Sequence, residues 1–300
     1  MRVPRAWLLY LLMVFVGGAL LAPALYWLAQ GLAFEWPVWE RVAANPFHRF
    51  VHRSLEILAL AGLWPLLRQL RVNSWRQVGW VAPRRLRWQE LGGGFVLGFL
   101  TMAIIAGVSL VGGTRTAGSS LSAAGLAGRL GSATLTAVAV AVLEETLFRG
   151  ALFGTLKDGF GWAGAALFSG LVFAAVHFFE PARSSGPVGW TTGLAMLARM
   201  LRGLGEWHSL VPGFLNLTIV GILLAVAFHR TGALYFSIGL HASWVVWIKL
   251  YGYVSQPVAG AGIWVCGSDK LVDGWLALPV LLAALWALPW LAPRTEEEAG

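Results

Sequence analysis

The chain holds one cysteine, Cys266, in 300 residues. A single thiol cannot form an internal disulfide, and a metal site built on several cysteines is excluded with it. Charge is nearly as scarce, since Asp, Glu, Lys and Arg make up only 12% of the residues and no long hydrophilic segment interrupts the chain. No segment resembles a module that reads nucleic-acid grooves, so nucleic acid is not an expected partner. The net charge of +8 suits membrane lipid with anionic headgroups instead. What is plentiful is apolar: 58% of the residues are hydrophobic, 17 are tryptophan, and the mean hydropathy is +0.70. A soluble domain cannot hide that much apolar surface.

Apolar runs of about 17–25 residues, the length that crosses a hydrocarbon core, recur over 6–30, 52–70, 90–111, 132–156, 161–179, 211–228, 232–250 and 274–292. They predict an all-α, polytopic transmembrane bundle of about eight helices. Its organisation is expected to be N-terminal helices over 1–120, a core over 121–251, and a C-terminal helix with an acidic tail over 252–300. Arg53 and Glu56 crowd the start of the second run and Pro65 interrupts it, so an interfacial helix is the alternative there. The first run exceeds the roughly 7–15 apolar residues of a cleavable signal and reads as an anchor. Eight spans put both termini on one side, and the arginine-rich stretch from Arg68 to Arg87 joins them there. The positive-inside rule makes that side cytoplasmic.

Between the spans, 121–131 reads as a short lead-in helix. The 181–209 stretch is too polar to cross, and its "LAMLARMLRGL" reads either as an amphipathic helix on the outer interface or as an ordered loop. Gly94 and Gly98, with Ala133, Ala137 and Ala141, mark close helix packing. The final "PRTEEEAG" is a solvated tail without a CaaX box.

Against this background "AVLEETLFRGALF", Ala141 to Phe153, stands out. Each Glu or Arg at a helix centre costs about 2.5–3.5 kcal/mol on insertion scales, so Glu144, Glu145 and Arg149 must face protein or water. On a helix Glu145 and Arg149 lie within about 40° of one another, acid first, which favours an ion pair. Glu144 points about 100° away from Glu145, leaving its carboxylate for another task. His177 and His241 sit within apolar runs, and helix rise places them and Glu144 within about 14–24 Å of one face, near one level. A carboxylate and two imidazoles there support two related chemistries. Glu144, His177 and His241 can ligate Zn²⁺ with an open position for water, or Glu144 can act as general base on a water held by His177. Of the other polar residues, His48 and His52, four apart beside the outer face, read as interfacial residues with metal binding as the alternative, His208 and His229 as loop or interface residues, and Glu180 as a partner that supports His177 or a last-turn residue.

These residues resemble the CAAX prenyl protease and bacteriocin-processing group, the CPBP or ABI intramembrane proteases. "EETLFR" matches its EExxxR, "FAAVH" its FxxxH, and "HASWV" stands where the group has His followed four residues later by Asn or Asp. The stretch from about 130 to 250, with its Arg-Thr-Gly turn at 230–232, carries the likeness. It implies an intramembrane endopeptidase with Glu144 and His177 binding or activating the attacking water, and with Glu145, Arg149 and His241 completing the catalytic set. A membrane-embedded peptide or protein substrate follows, prenylated CaaX peptides being one class. Position 245 is Val here, so the amide that would steady the oxyanion is missing. Trp244, on the same turn, is expected to supply a substitute donor, with Ser237 as the alternative. Two rivals stand beside the enzyme: a catalytically silent member acting as a scaffold or immunity protein, and a transporter or channel, which the lack of an internal repeat disfavours.

Overall fold

A computed structural model describes residues 2–81, 85–119, 121–178, 186–202, 207–259 and 262–293. The acidic tail and Glu180 lie outside the described residues. The helices are α1 (Arg2–Leu12), α2 (Gly18–Glu35), α3 (Glu40–Ala43), α4 (Phe47–Gln69), α5 (Arg85–Val111), α6 (Ala123–Glu145), α7 (Gly154–His177), α8 (Thr192–Arg202), α9 (Trp207–Thr231), α10 (Tyr235–Val254), α11 (Ile263–Cys266) and α12 (Ala277–Leu291). The described sheet is one antiparallel pair, β1 (Arg115–Ala117) with β2 (Ser255–Pro257), in which Thr116 faces Gln256. The chain is therefore all-α in class.

Among the described residues five helical stretches are long and apolar enough to cross a membrane: Arg5–Glu35, Phe47–Gln69, Arg85–Val111, Ala123–His177 and Leu210–Thr231, with Ala277–Leu291 a shorter apolar helix. The sequence expects a lead-in helix and two spans here, and the helical stretch Ala123–His177 does fall into two helices at Gly161, the lead-in running on into the first: Ser169, after the glycine, donates to the Phe148 carbonyl, before it, at 3.2 Å, so the chain doubles back. Here the break is confined to Gly161, whose φ of 69° only glycine takes without strain. The Phe47–Gln69 run, weakened by Arg53 and Glu56, is a full 23-residue helix; those two side chains pair with each other on its exposed face.

The chain forms two compact units, Met1–Asn73 with Val176–Gly205 and Ser74–Ala175 with Glu206–Gly300. In the first, α2 packs on α4, where buried Ser54 donates to the Gly18 carbonyl at 2.7 Å and satisfies a group that lipid could not. The 192–202 segment is the amphipathic helix of the two alternatives. It buries Met196 beside Ala22, Phe50 and Val51 and approaches α2 so closely at Gly193 that a Cβ there would lie 1.8 Å from the Ala19 carbonyl oxygen.

In the second unit α5 and α10 form the tightest seam. A Cβ on Gly94 would meet the Phe236 oxygen at 2.1 Å, and one on Gly239 the Leu91 oxygen at 2.0 Å. Ala133, Ala137 and Ala141 are buried where α6 meets α10. Small residues let the backbones touch, which is how apolar helices associate when lipid is as apolar as they are. Gly239→Val is expected to cost about 1–3 kcal/mol or more by overpacking. The loss would be read as lower folded yield and melting temperature in detergent, whereas Gly92→Ala, which meets nothing within 4 Å, should leave both unchanged.

Candidate active site

α6 starts at Ser122, whose side chain accepts from the Gly125 N–H at 3.2 Å, and runs without interruption into a π-helical segment, Thr146–Phe153. The two glutamates close the α-helical part, and Arg149 sits in the wider turns that follow. π-Helical insertions carry a strain that is commonly found at functional sites. The segment is held from outside by the Trp80 indole, which donates to Thr146 Oγ1 at 3.1 Å, and by the Val78 carbonyl, which lies against Gly150.

Glu145 and Arg149 are both completely buried, with Arg149 Nε 3.3 Å from Glu145 Oε2. The guanidinium also donates through Nη2 to the Gly221 carbonyl at 3.4 Å, and it lies 4.5 Å from the Phe173 ring centre and 5.7 Å from that of Phe148. Carboxylate, carbonyl and two aromatic faces together compensate a cation with no access to water. The close approach of Gly170 to Gly221, where α7 crosses α9, brings that carbonyl within reach.

The other oxygen of Glu145 is also engaged, which the helical wheel does not foresee. Glu145 Oε1 lies 2.8 Å from His241 Nδ1. An ionised Glu145 therefore holds the proton on Nδ1 and leaves the Nε2 lone pair outward. That Nε2 is 3.9 Å from Glu144 Oε2. Arg149, Glu145, His241 and Glu144 thus form one chain of contacts, buried at the arginine end and opening at Glu144, whose side chain is 29% exposed. Phe173 closes the side of the imidazole, its ring 6.0 Å from that of His241 and nearly perpendicular.

This corrects the expectation that Arg149 alone engages Glu145. Glu145 is an ion-pair partner and the carboxylate that orients His241, and no signal within its own helix could show this, because the histidine is 96 residues away. The expected substitutes for the missing amide fail as well. The Trp244 indole donates to Thr101 Oγ1 at 2.8 Å, on α5, and Ser237 donates to the Leu224 carbonyl at 3.4 Å. Both are buried away from the Glu144 end, whereas Val245 is partly exposed.

His177 is the last residue of α7, exposed, and belongs with the first unit. His48 and His52 stack edge to face on α4, 6.4 Å apart, and His229 lies parallel to Trp162 at 5.3 Å. Among the described residues no group of three or more His, Cys, Asp or Glu is arranged to hold a metal ion. No step below runs through zinc.

Residues 127–247, which include every residue of this cluster, match the family model for type II CAAX prenyl endopeptidase, Rce1-like. No curated protein and no solved structure matches the chain. The motif likeness and the family match cover the same helices, and over residues 127–247 the chain is similar to the CPBP/CAAX proteases.

Proposed function

We propose that the protein is a multi-pass intramembrane endopeptidase in which Glu144 and His177 activate the attacking water. The observation that carries this is the Glu145–His241–Glu144 chain, which sets a fixed imidazole lone pair beside a partly exposed carboxylate. Glu144 takes a proton from the water as its oxygen bonds to the peptide carbonyl carbon. The tetrahedral intermediate then expels the amine, which receives the proton from Glu144, leaving a carboxylic acid whose remaining proton passes to the amine, so the products are a carboxylate and an ammonium group. His241 Nε2 accepts a hydrogen bond from the protonated Glu144 or from the water, and Glu145 keeps it in the tautomer that can do so. His177 enters on its motif match, as a second group to bind or activate the water.

The substrate class that suits the family is a membrane-associated peptide, with prenylated CaaX peptides one form of it. The test is cleavage of an internally quenched, farnesylated CaaX peptide by purified protein in lipid vesicles. Hydrolysis is expected. Zinc bound by Glu144, His177 and His241 is the alternative carrier of the same water, and one zinc per purified chain would replace the metal-free version. A catalytically silent scaffold or immunity protein is the second reading, favoured by Val245.

The topology proposed with this function has eight crossings: the Ala123–His177 helix crosses twice about Gly161, and α10 and Ala277–Leu291 complete the number. Both termini are cytoplasmic. In a Cys266→Ser background, cysteines at positions 78 and 158 should label only from the cytoplasm, and those at 115 and 186 only from outside. An external label at 158 would invert the arrangement.

A further inference from the structure

Five tryptophans gather around one end of the second unit, and the site does not use any of them. Trp75, Trp88, Trp162, Trp286 and Trp290 are each between 50% and 72% exposed. Their common hub is the α9–α10 turn, residues 228–234. Trp162 stacks on His229 at 5.3 Å. Arg230 donates to the Pro289 carbonyl at 2.6 Å, which fixes Trp290 beside the turn, and Trp286 lies 4.5 Å from Trp290. Arg87 reaches the Thr231 carbonyl at 3.4 Å and so places Trp88. The Trp75–Trp80 turn is tied on where the Leu234 N–H donates to the Gly79 carbonyl at 3.2 Å.

An exposed indole is costly in water and poorly placed in the middle of lipid, because it has one polar N–H; it is favoured at the headgroup level. The dimensions agree. Trp286 and Trp290 are about 6 Å apart along α12, a distance that fits one interfacial layer of about 5–8 Å. Counted from Trp88, the roughly 20 residues that cross a hydrocarbon core end near Val108, just before α5 stops at Val111. Exposed Arg76, Arg85 and Lys157 lie in the same region, where the described exposed acid is Asp158, a balance that complements phosphate. The opposite end, around β1 and β2, has Trp264 as its strongly exposed tryptophan among the described residues.

We infer that this ring of five tryptophans is an interfacial girdle that seats the α9–α10 turn in the headgroup layer of a phospholipid bilayer. The consequence is a depth: His241 follows Gly232 by nine residues of chain, so it lies about 14 Å inside that layer before any tilt. If the peptidase reading above holds, the scissile bond must reach that depth from the tryptophan-rich leaflet. The girdle itself does not depend on catalysis.

The test uses the full chain in phosphatidylcholine vesicles, carrying Cys266→Ser and one of Trp88→Cys, Trp162→Cys, Trp290→Cys or Leu100→Cys, each labelled with bimane. All four side chains are exposed, so the fold should tolerate them. Headgroup nitroxide lipid should quench the three tryptophan positions at least about twofold more than nitroxide at acyl carbon 12, and Leu100→Cys should show the reverse. Stronger quenching of the three by the deep nitroxide would overturn the girdle. So would quenching by aqueous iodide alone, or by none of the probes, the last marking a face covered by another protein.

Discussion

Glu144→Gln is expected to lower the rate of peptide hydrolysis by at least about 10²–10⁴ while the protein folds and behaves in detergent as the wild type does. The amide keeps the shape of the side chain and removes its capacity to take a proton. Little stability should be lost, because Glu144 is 29% exposed and the amide preserves its size and shape. The contrast is with its neighbour. Arg149→Ala leaves Glu145 buried without its cation, and breaking a pair of that kind costs about 3–5 kcal/mol. The arginine variant should therefore show reduced folded yield before any assay is attempted. Rate at constant folded concentration separates the two: a Glu144→Gln protein with full activity would remove this carboxylate from the mechanism. Folded, stable Arg149→Ala protein would show that the buried pair is not needed to hold the segment together.

Much of this cluster is legible in the sequence, and the reason is local. Glu145 and Arg149 are four residues apart, and a four-residue spacing brings two side chains together even though the helix turns π at Thr146. The apolar runs locate most of the long helices because length and composition alone decide whether a segment can cross. Small residues at 94, 98, 133, 137 and 141 announce the α5–α10 and α6–α10 seams, since a larger side chain would have no room there. What is illegible depends on partners far away in the chain. The second oxygen of Glu145 could have served Arg149, as its bidentate partner, or any donor on another helix; packing selects His241. The uninterrupted passage from α6 through the π-helical Thr146–Phe153 is not announced by composition, whereas the break at Gly161 falls where the apolar runs leave a gap. The Trp244 indole shows the same limit. Its angle to His241 on α10 suggests proximity to the reacting carbonyl, yet Thr101, 143 residues away, takes the hydrogen bond.

Val245→Asn is expected to raise the hydrolytic rate by about 10²–10³, the factor that one oxyanion donor is worth. Neither nearby donor supplies that hydrogen bond in the wild type. Moving the Trp244 indole toward Glu144 would forfeit its bond to Thr101, and Ser237 is buried against the Leu224 carbonyl. Position 245 differs from both. It lies one turn beyond His241 on α10, on the same face, and it is partly exposed, so an amide there could reach a carbonyl being attacked by water at Glu144 without abandoning another partner. Valine and asparagine are close in volume, and the polar group would not be stranded in a dry core, so stability should change little. The decisive comparison is Val245→Asn alone and combined with Glu144→Gln, assayed on the farnesylated peptide. A gain in the single variant that vanishes in the double identifies the new amide as acting on the same reaction as the carboxylate. If the wild type cleaves slowly and Val245→Asn adds nothing, the oxyanion must find its donor elsewhere, for instance in a backbone N–H group. If neither protein cleaves, the arrangement of Glu144, Glu145, Arg149 and His241 holds helices together without chemistry, and the scaffold reading takes the place of the enzyme.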